Sequence, residues 1–392
     1  MPISPMYADV GGWWGATCEY MYRRFGAPFG KGWAAKIING YVYTAVLPRD
    51  EVEAGQLAPY YNMVMPIYAN SFLDWWGEKL LPEIQSNLEY LDNFPYTESS
   101  LARLMILLED ALDIQERHFR IHWILNLAQF QAHMQFRAVY EEVIGEADED
   151  NIGNILVSVA DRNWDSLKGL WELKEDIKAN AELRYIFENT EPGQTMDALN
   201  RSEVGRQFME KVREYAKEYG NKAIYTHEYI FPTWREDPSP ILEALKGYLA
   251  TDYNYHEAVE RCKAERDAAV QKMWEKVPEG ADRKKLEEAL DLALKMTPLT
   301  PDHHFYIDQG TYARMRRVFI EIGKKLVANG VIEEPDDVLF MKYHELRTIA
   351  ANHEAFDAKE LVAERRAERM RAFQMTPPDW VGTVTKWALY EE

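Results

Sequence analysis

The stretch "TESSLARLMILLEDALDIQERHFRIHWILNLAQFQAHMQFRAVYEEVIG", residues 97–145, decides the fold class of this chain. It contains no proline and a single glycine, at its last position. Leu101, Leu104, Met105 and Leu108 recur at three- and four-residue spacing, which is the period of one buried helix face. The pattern therefore predicts one long amphipathic helix.

Helical patterns continue on both sides of this stretch. Asp50 is placed to cap a helix whose first turn carries Glu51 and Glu53, since acidic side chains stabilise helix N-termini. More helices are expected from about residue 152 to 220. Further predicted helices cover residues 241–249, 256–276, 283–295, 343–351 and 358–373.

A second apolar stripe follows the same helical spacing in the C-terminal third of the chain. It is formed by Tyr312, Met315, Phe319, Ile322 and Leu326. Gly330 is a natural stop for this helix, because glycine readily adopts the left-handed conformation that ends helices.

Few segments depart from the helical pattern. Residues 1–50 read as irregular except for "INGYVYTAVLP" (38–48), whose alternation favours a strand, in a short hairpin or at an edge. Turns are predicted at 148–151 and within 231–240, where three prolines prevent a continuous helix. "EEPDDVLFM" (333–341) predicts a turn and a short strand.

These elements predict a mainly α fold, a multi-helix domain with a minor β element. We expect one helical domain over residues 1–375, or two lobes of about 1–220 and 221–375. Residues 376–392 resemble a linker.

Composition excludes several functional classes. Lys and Arg number 45 against 65 Asp and Glu, which gives a net charge of −20 and disfavours nucleic acids and anionic membrane surfaces. The two cysteines lie far apart, and neither a signal peptide nor a membrane span is evident, so we expect a cytoplasmic protein. The 12 Trp, 23 Tyr and 15 Phe fill an ordinary core or line a pocket for an organic molecule.

Familiar catalytic motifs are absent from the sequence. It has neither GxxxxGK[ST] nor GxGxxG for phosphate binding, and neither HExxH nor GxSxG. No metal site is therefore expected, and no ATP site of a familiar kind.

The segment "TPDHHFYIDQG" (300–310) is the most prominent cluster of proton-active groups. We interpret it as a polar break between two helices. Histidine exchanges protons near neutral pH, so we expect catalytic roles for Asp302, His303, His304 and Asp308. Gln309 would contact a substrate. The alternative is a helix N-terminus where an aspartate caps and one histidine packs.

Three arginines and four other polar residues complete the predicted site. Arg314 and Arg317, three residues apart on one helix face, would bind an anion, whereas Arg316 points elsewhere. In "THEYIFPTWREDP", either His227, Trp234 and Arg235 serve a substrate or the segment is a structural corner. His118 and His122 share a helix face. They could bind a metal, line a pocket with Gln129 and His133, or form hydrogen bonds within the core.

Three segments together resemble the phosphoenolpyruvate-utilising, dikinase-like phosphotransferases. They are "GNKAIYTHEYIFPTWREDPSPIL" (220–242), "ARMRRVFIEIGKKLVANGVIEEPDDVLFMKYHELR" (313–347) and "ELVAERRAERMRAFQMTPPDWVGT" (360–383). The resemblance extends weakly over the N-terminal part. It implies an acceptor-binding module similar to that of rifampicin phosphotransferases and of two-component enzymes that phosphorylate phenols or hydroxyacetophenones.

The resemblance implies partners that this sequence does not contain. In the family an ATP-grasp module binds ATP and Mg²⁺, and a swivelling module carries a phosphorylated histidine. This sequence lacks the phosphohistidine signature, so we expect an acceptor-binding subunit or fragment that is inactive without those modules. Residues 301–309 align with a different polar cluster in rifampicin phosphotransferases, which favours a small aromatic alcohol or phenol as acceptor.

The mechanism implied by the resemblance assigns roles to the predicted site. His303 or His304 would accept the acceptor's hydroxyl proton, with Asp302 or Asp308 fixing the ring, while Arg314, Arg317 and Arg235 stabilise phosphoryl oxygens. Three alternatives stand beside it: a non-catalytic helical scaffold subunit, a fragment of an antibiotic phosphotransferase, and a stand-alone aromatic-binding protein.

Overall fold

The computed structural model describes residues 1–11, 16–191, 193–353 and 355–382, and it confirms a mainly α fold with one two-stranded sheet. The chain divides into two compact units. Unit 1 comprises Met1–Leu127, His227–Ile230 and the described residues from Thr311 onward, and unit 2 comprises Ala128–Thr226 and Phe231–Gly310. The units alternate along the chain, whereas the expected lobes are continuous segments.

The long predicted helix is confirmed, and it is the last of the five α-helices that open the chain. These are α1 (Pro5–Val10), α2 (Ala16–Phe25), α3 (Glu51–Trp75), α4 (Leu81–Asp92) and α5 (Leu101–Ile144). Asp50 caps α3 as predicted, because its carboxylate accepts from the Glu53 amide at 2.8 Å. On α5, Leu104 and Leu108 are fully buried, so the predicted apolar face points into a core.

The predicted strand is one arm of a β-hairpin. Strands β1 (Gly32–Ile38) and β2 (Tyr41–Leu47) pair antiparallel, with Ile38 opposite Tyr41. The two-residue turn between them is formed by Asn39 and Gly40, both at positive φ, which matches the twist of the paired strands. Together with α1 and α2, this hairpin shows that the prediction of an irregular segment over residues 1–50 was wrong.

Unit 2 contains the remaining central helices. They are α6 (Glu149–Ile155), α7 (Arg162–Ala179), α8 (Ala181–Asn189), α9 (Thr195–Asn200), α10 (Glu203–Tyr219), α11 (Ser239–Ala250), α12 (Tyr255–Trp274), α13 (Ala281–Met296) and α14 (Leu299–His303). Two apolar clusters hold them, one centred on Ile177, Val212 and Ile241 and another on Phe136, Met273 and Leu286.

The turn predicted at 148–151 was wrong, because α6 begins there. The Asp148 carboxylate accepts from the Asn151 amide at 3.0 Å and caps the helix. A polar cluster that resembled a turn is thus a helix N-terminus.

The C-terminal part of unit 1 carries α15 (Gly310–Ala328), α16 (Tyr343–Ala351) and α17 (Lys359–Phe373). The predicted stripe of α15 is confirmed, since Met315, Phe319 and Ile322 are fully buried. Gly330 ends the helix at φ 73°, and the amides of Gly330 and Val331 donate to the carbonyls of Val327 and Leu326.

The strand predicted within 333–341 was wrong, because Pro335–Phe340 forms a 3₁₀ helix. The Asp337 carboxylate accepts from the Glu333 and Glu334 amides at 3.1 and 2.9 Å, which favours a tight helical turn over extended backbone. Among the helices that the structure describes, none is long and apolar enough to cross a membrane.

Candidate functional site

Only a two-residue turn, Thr297 and Pro298, separates α13 from α14, and residues 299–310 are helical, so the predicted break over 300–310 was wrong. Helix α14 leads directly into a π-helical turn, His304–Gln309, which continues into α15 at Gly310. Such π turns are rare and occur often at functional sites. They rotate side chains relative to a regular α-helix, and here the turn contains His304, Asp308 and Gln309.

The side chains of His304 and Asp308 face each other within this turn. The His304 Nε2 lies 3.3 Å from the Asp308 Oδ2. The imidazole is half exposed, whereas the carboxylate is almost fully buried. A carboxylate that accepts from Nε2–H fixes the ring in the tautomer whose Nδ1 carries the lone pair.

His303 has different surroundings, although its ring centroid is 4.3 Å from that of His304. His303 is buried, and its Nδ1 donates to the Leu299 carbonyl at 2.7 Å. This bond spans one helical turn and fixes the His303 ring against α14.

A pocket of about 250 Å³ in unit 2 has His304 in its wall. The residues that line this His304 pocket combine cationic, amide, hydroxyl and aromatic groups: Arg162, Asn163, Lys222, Thr300, Pro301, His304, Phe305 and Gln309. It therefore suits a small molecule with an aromatic ring and several polar groups.

Arg162 closes one side of the His304 pocket. Its guanidinium lies 4.2 Å from the centroid of the Phe305 ring, and it pairs with Glu218 and, at 3.0 Å, with Asp165. The backbone amide of Arg162 donates to the Asp302 carboxylate at 2.9 Å. Asp302 thus connects α14 to the start of α7, and burial raises the pKa of its carboxyl despite this hydrogen bond.

Gln129 and His133 of α5 hold the segment that precedes the pocket. The Gln129 amide nitrogen donates to the Met296 and Thr297 carbonyls, and its oxygen accepts from the Thr300 hydroxyl at 2.7 Å. His133 Nε2 lies 3.3 Å from the Thr297 hydroxyl, and burial lowers the pKa of this histidine. Gln129 therefore contacts the pocket through Thr300.

Trp234 and Arg235 fix the loop that carries Lys222. Their backbone amides donate to the carbonyls of Lys222 and Gly220 at 2.8 and 2.9 Å. The Lys222 Nζ lies 5.5 Å from the centroid of the Trp234 ring. The Trp-Arg segment thus positions a lysine that sequence reasoning did not single out.

In unit 1, Arg314 and Arg317 share one carboxylate. Arg314 Nη2 lies 2.5 Å from the Asp92 Oδ2, and Arg317 Nη1 lies 3.7 Å from Oδ1. The Arg317 guanidinium also covers the Tyr96 ring at 4.2 Å. The anionic group beside both arginines is a carboxylate of the protein, and their binding of a ligand anion stays a prediction. Arg316 is buried and donates to the Tyr229 carbonyl and Asp336, so it does point elsewhere.

Three predicted histidines also belong to unit 1. His118 is fully buried, with Nδ1 2.8 Å from the Thr311 hydroxyl and Nε2 3.2 Å from the Asn87 amide nitrogen. Burial lowers the pKa of His118 to about 3. His122 packs on Phe119 and His227 on Tyr312, at 5.4 Å between ring centroids in each pair.

Unit 2 thus brings together Asp302, His304, Asp308, Gln309 and Gln129, either in the wall of the His304 pocket or one contact behind it. Sequence reasoning missed Arg162, Lys222 and Thr300. Thr300 is the first residue of the quoted 300–310 segment, whereas the two cations are distant in sequence, and only the fold brings them to His304.

Comparisons with known proteins agree with the motif resemblance. The rifampicin phosphotransferase fourth domain matches residues 122–300. The chain is 25% identical to an uncharacterized phosphotransferase, YvkC, of Bacillus subtilis over 90% of this chain and 41% of that protein. It is 24% identical to chondramide synthase cmdD of Chondromyces crocatus, over 92% of this chain and 9% of that protein. It is 21% identical to rifampicin phosphotransferase of Bacillus cereus, over 76% of this chain and 36% of that protein. The chain spans about two fifths or less of each relative's length.

Proposed function

We propose that this chain, a relative of the phosphoenolpyruvate-utilising phosphotransferases, is the acceptor-binding component of an ATP-dependent enzyme that transfers phosphate through a phosphohistidine. Its acceptor is a small hydroxylated aromatic compound that binds in the His304 pocket. The observation that carries the proposal is the His304–Asp308 pair in the wall of this pocket.

The size and lining of the pocket support a small acceptor. Its volume of about 250 Å³ is below the range of roughly 300–1,000 Å³ typical of drug-sized ligands. Phe305 and Pro301 offer apolar contact to a ring, and Gln309 and Thr300 offer hydrogen bonds to its substituents. This volume favours a small acceptor over a large antibiotic.

The transfer step follows from the geometry of His304. The acceptor hydroxyl gives its proton to Nδ1 of His304, and its oxygen forms the new O–P bond as the N–P bond of the partner's phosphohistidine breaks. Asp308 stabilises the imidazolium that results. A cationic side chain stabilises the charge on the phosphoryl oxygens, and in unit 2 this role is proposed for Arg235.

The proposal makes the chain inactive by itself. With ATP, Mg²⁺ and a phenol it should form no aryl phosphate, as followed by ³¹P NMR. Addition of ATP-grasp and phosphohistidine modules from a related phosphotransferase should start the transfer. Formation of aryl phosphate by the isolated chain would contradict the proposal that transfer requires the other two modules.

A binding experiment tests the His304 pocket directly. In calorimetry with 4-hydroxyacetophenone, a neutral phenol, His304→Ala should weaken binding roughly threefold to tenfold, because one hydrogen bond to the hydroxyl is lost. His256→Ala is the matched control, since His256 is an exposed histidine elsewhere in unit 2. Absence of binding by the wild-type chain, or equal affinities of wild type and His304→Ala, would refute the proposal.

A further inference from the structure

Lys222, a half-buried lysine, has few hydrogen-bond partners within the protein. No carboxylate of the described residues lies within 4.0 Å of its Nζ, and its one hydrogen-bond acceptor is the Ser166 hydroxyl at 2.9 Å. That hydroxyl is held in turn by Tyr215 at 2.8 Å. An ammonium group has three donors, so most of its hydrogen-bonding capacity is unused within the protein.

Lys174 in the same unit provides an internal comparison. Its side chain is more deeply buried than that of Lys222, but its Nζ lies 2.9 Å from Asp252 and 3.0 Å from Glu175. Burial acts to lower the pKa of Lys174, and the two carboxylates outweigh it and raise the pKa above the ordinary value. For Lys222, burial lowers the pKa and no carboxylate opposes it. A half-buried ammonium group without a carboxylate partner is stabilised by an anion that binds beside it.

Two further groups in the wall of the His304 pocket have unsatisfied hydrogen bonds. Arg162 Nε is a buried donor without an acceptor, and Gln309 Oε1 is a buried acceptor without a donor. Buried polar groups in proteins are nearly always paired, so each unpaired group needs an explanation. A ligand that offers acceptor oxygens to Lys222 and Arg162, and a hydroxyl donor to Gln309, would satisfy all three.

We propose that Lys222 and Arg162 form a carboxylate-binding subsite of the His304 pocket, so that the preferred ligand is a hydroxylated aromatic acid. This inference rests on the proposed function for the identity of the reacting hydroxyl. The subsite itself rests on the two cations and on Gln309. Phe305, which already stacks under Arg162, provides the apolar surface for the ring.

The test compares four ligands by calorimetry on the whole chain at low salt: 4-hydroxybenzoate, benzoate, 4-hydroxyacetophenone and inorganic phosphate. The carboxylate of 4-hydroxybenzoate should make its binding roughly tenfold to a hundredfold tighter than that of 4-hydroxyacetophenone. Lys222→Met should remove this preference, because it should weaken 4-hydroxybenzoate binding far more than 4-hydroxyacetophenone binding, whereas Lys222→Arg should retain most of it. Lys217→Met is the matched control, because Lys217 is exposed and paired with Glu214.

The outcomes separate this inference from the proposed function. If benzoate binds and neutral phenols do not, the subsite stands and the acceptor proposal fails. Equal affinity for 4-hydroxybenzoate and 4-hydroxyacetophenone overturns the subsite, and so does an unchanged preference in Lys222→Met. If phosphate alone depends on Lys222, the cations serve the transferred phosphoryl group and the carboxylate assignment is wrong. The wild-type comparison needs no variant, so it remains decisive even if Lys222→Met misfolds.

Discussion

His118 and His304 have the same side chain and opposite surroundings. His118 is fully buried with a polar partner at each ring nitrogen, whereas His304 is half exposed at a pocket. His118 became a candidate through its helical spacing from His122 and His304 through the polar cluster around it, and neither pattern reports what covers a side chain. At the scale of single residues, burial decides which histidine can exchange a proton with a ligand.

The buried His118 should make the protein sensitive to acid. Its pKa is about 3 in the folded protein against 6.5 in the unfolded chain, so the unfolded state binds more protons between these values. The contribution of a neutral His118 to stability is complete above pH 6.5 and is lost as the pH falls toward 3. From pH 7 to pH 5, this loss amounts to roughly 2 kcal/mol of unfolding free energy.

Urea unfolding of His118→Gln at pH 7 and pH 5 measures this contribution. The variant should be less stable at pH 7, because it disturbs the bonds to Thr311 and Asn87, and its stability should fall less between the two pH values. His344→Gln, at an exposed position, should keep the wild-type pH dependence. If His118→Gln and wild type lose stability equally, His118 does not titrate as described.

At the scale of elements, apolar periodicity predicted most helices, and local side-chain bonds to the backbone explain the errors. Asp148 and Asp337 belong to segments that resembled a turn and a strand, yet each carboxylate binds backbone amides and starts a helix. The His304–Gln309 segment resembled a break because of its polarity and the nearby prolines. Pro298 and Pro301 lie at the start of α14, where a missing amide hydrogen costs little.

The contact of α15 with the turn at Pro335 depends on a glycine. A Cβ built on Gly323 would lie 2.1 Å from the Pro335 carbonyl oxygen, so Gly323→Ala requires the turn to move. We expect a loss of about 1–3 kcal/mol of unfolding free energy, the usual cost of overpacking. Chemical denaturation measures it.

Gly247→Ala is the control for the Gly323 prediction. Gly247 lies inside α11, and its added Cβ would have open space around it. Because alanine favours helix more than glycine does, this variant should be neutral or stabilised by up to about 1 kcal/mol. If both variants behave alike, the close approach at Pro335 does not constrain α15.

At the scale of the whole molecule, the family match and unit 2 cover nearly the same residues. The rifampicin phosphotransferase fourth domain matches residues 122–300, and unit 2 lies between Ala128 and Gly310. The sequence alone located part of the pocket in this region, the 300–309 cluster, because its polar groups are adjacent. It could not reveal Arg162 and Lys222, which only the packing of α7 and the Trp234 loop brings to His304.

Unit 2 should therefore fold and bind ligand without most of the remaining chain. Its two apolar clusters and the lining of the His304 pocket consist of unit 2 residues throughout. A fragment of residues 128–310 should unfold in one cooperative transition and bind 4-hydroxybenzoate within about threefold of the whole chain, a difference below 1 kcal/mol. Circular dichroism and calorimetry measure the two properties. Lys222→Met in the fragment is the control, and it should weaken binding as in the whole chain. A helical fragment that unfolds without cooperativity, or one that folds but does not bind, would show that the pocket depends on residues outside unit 2.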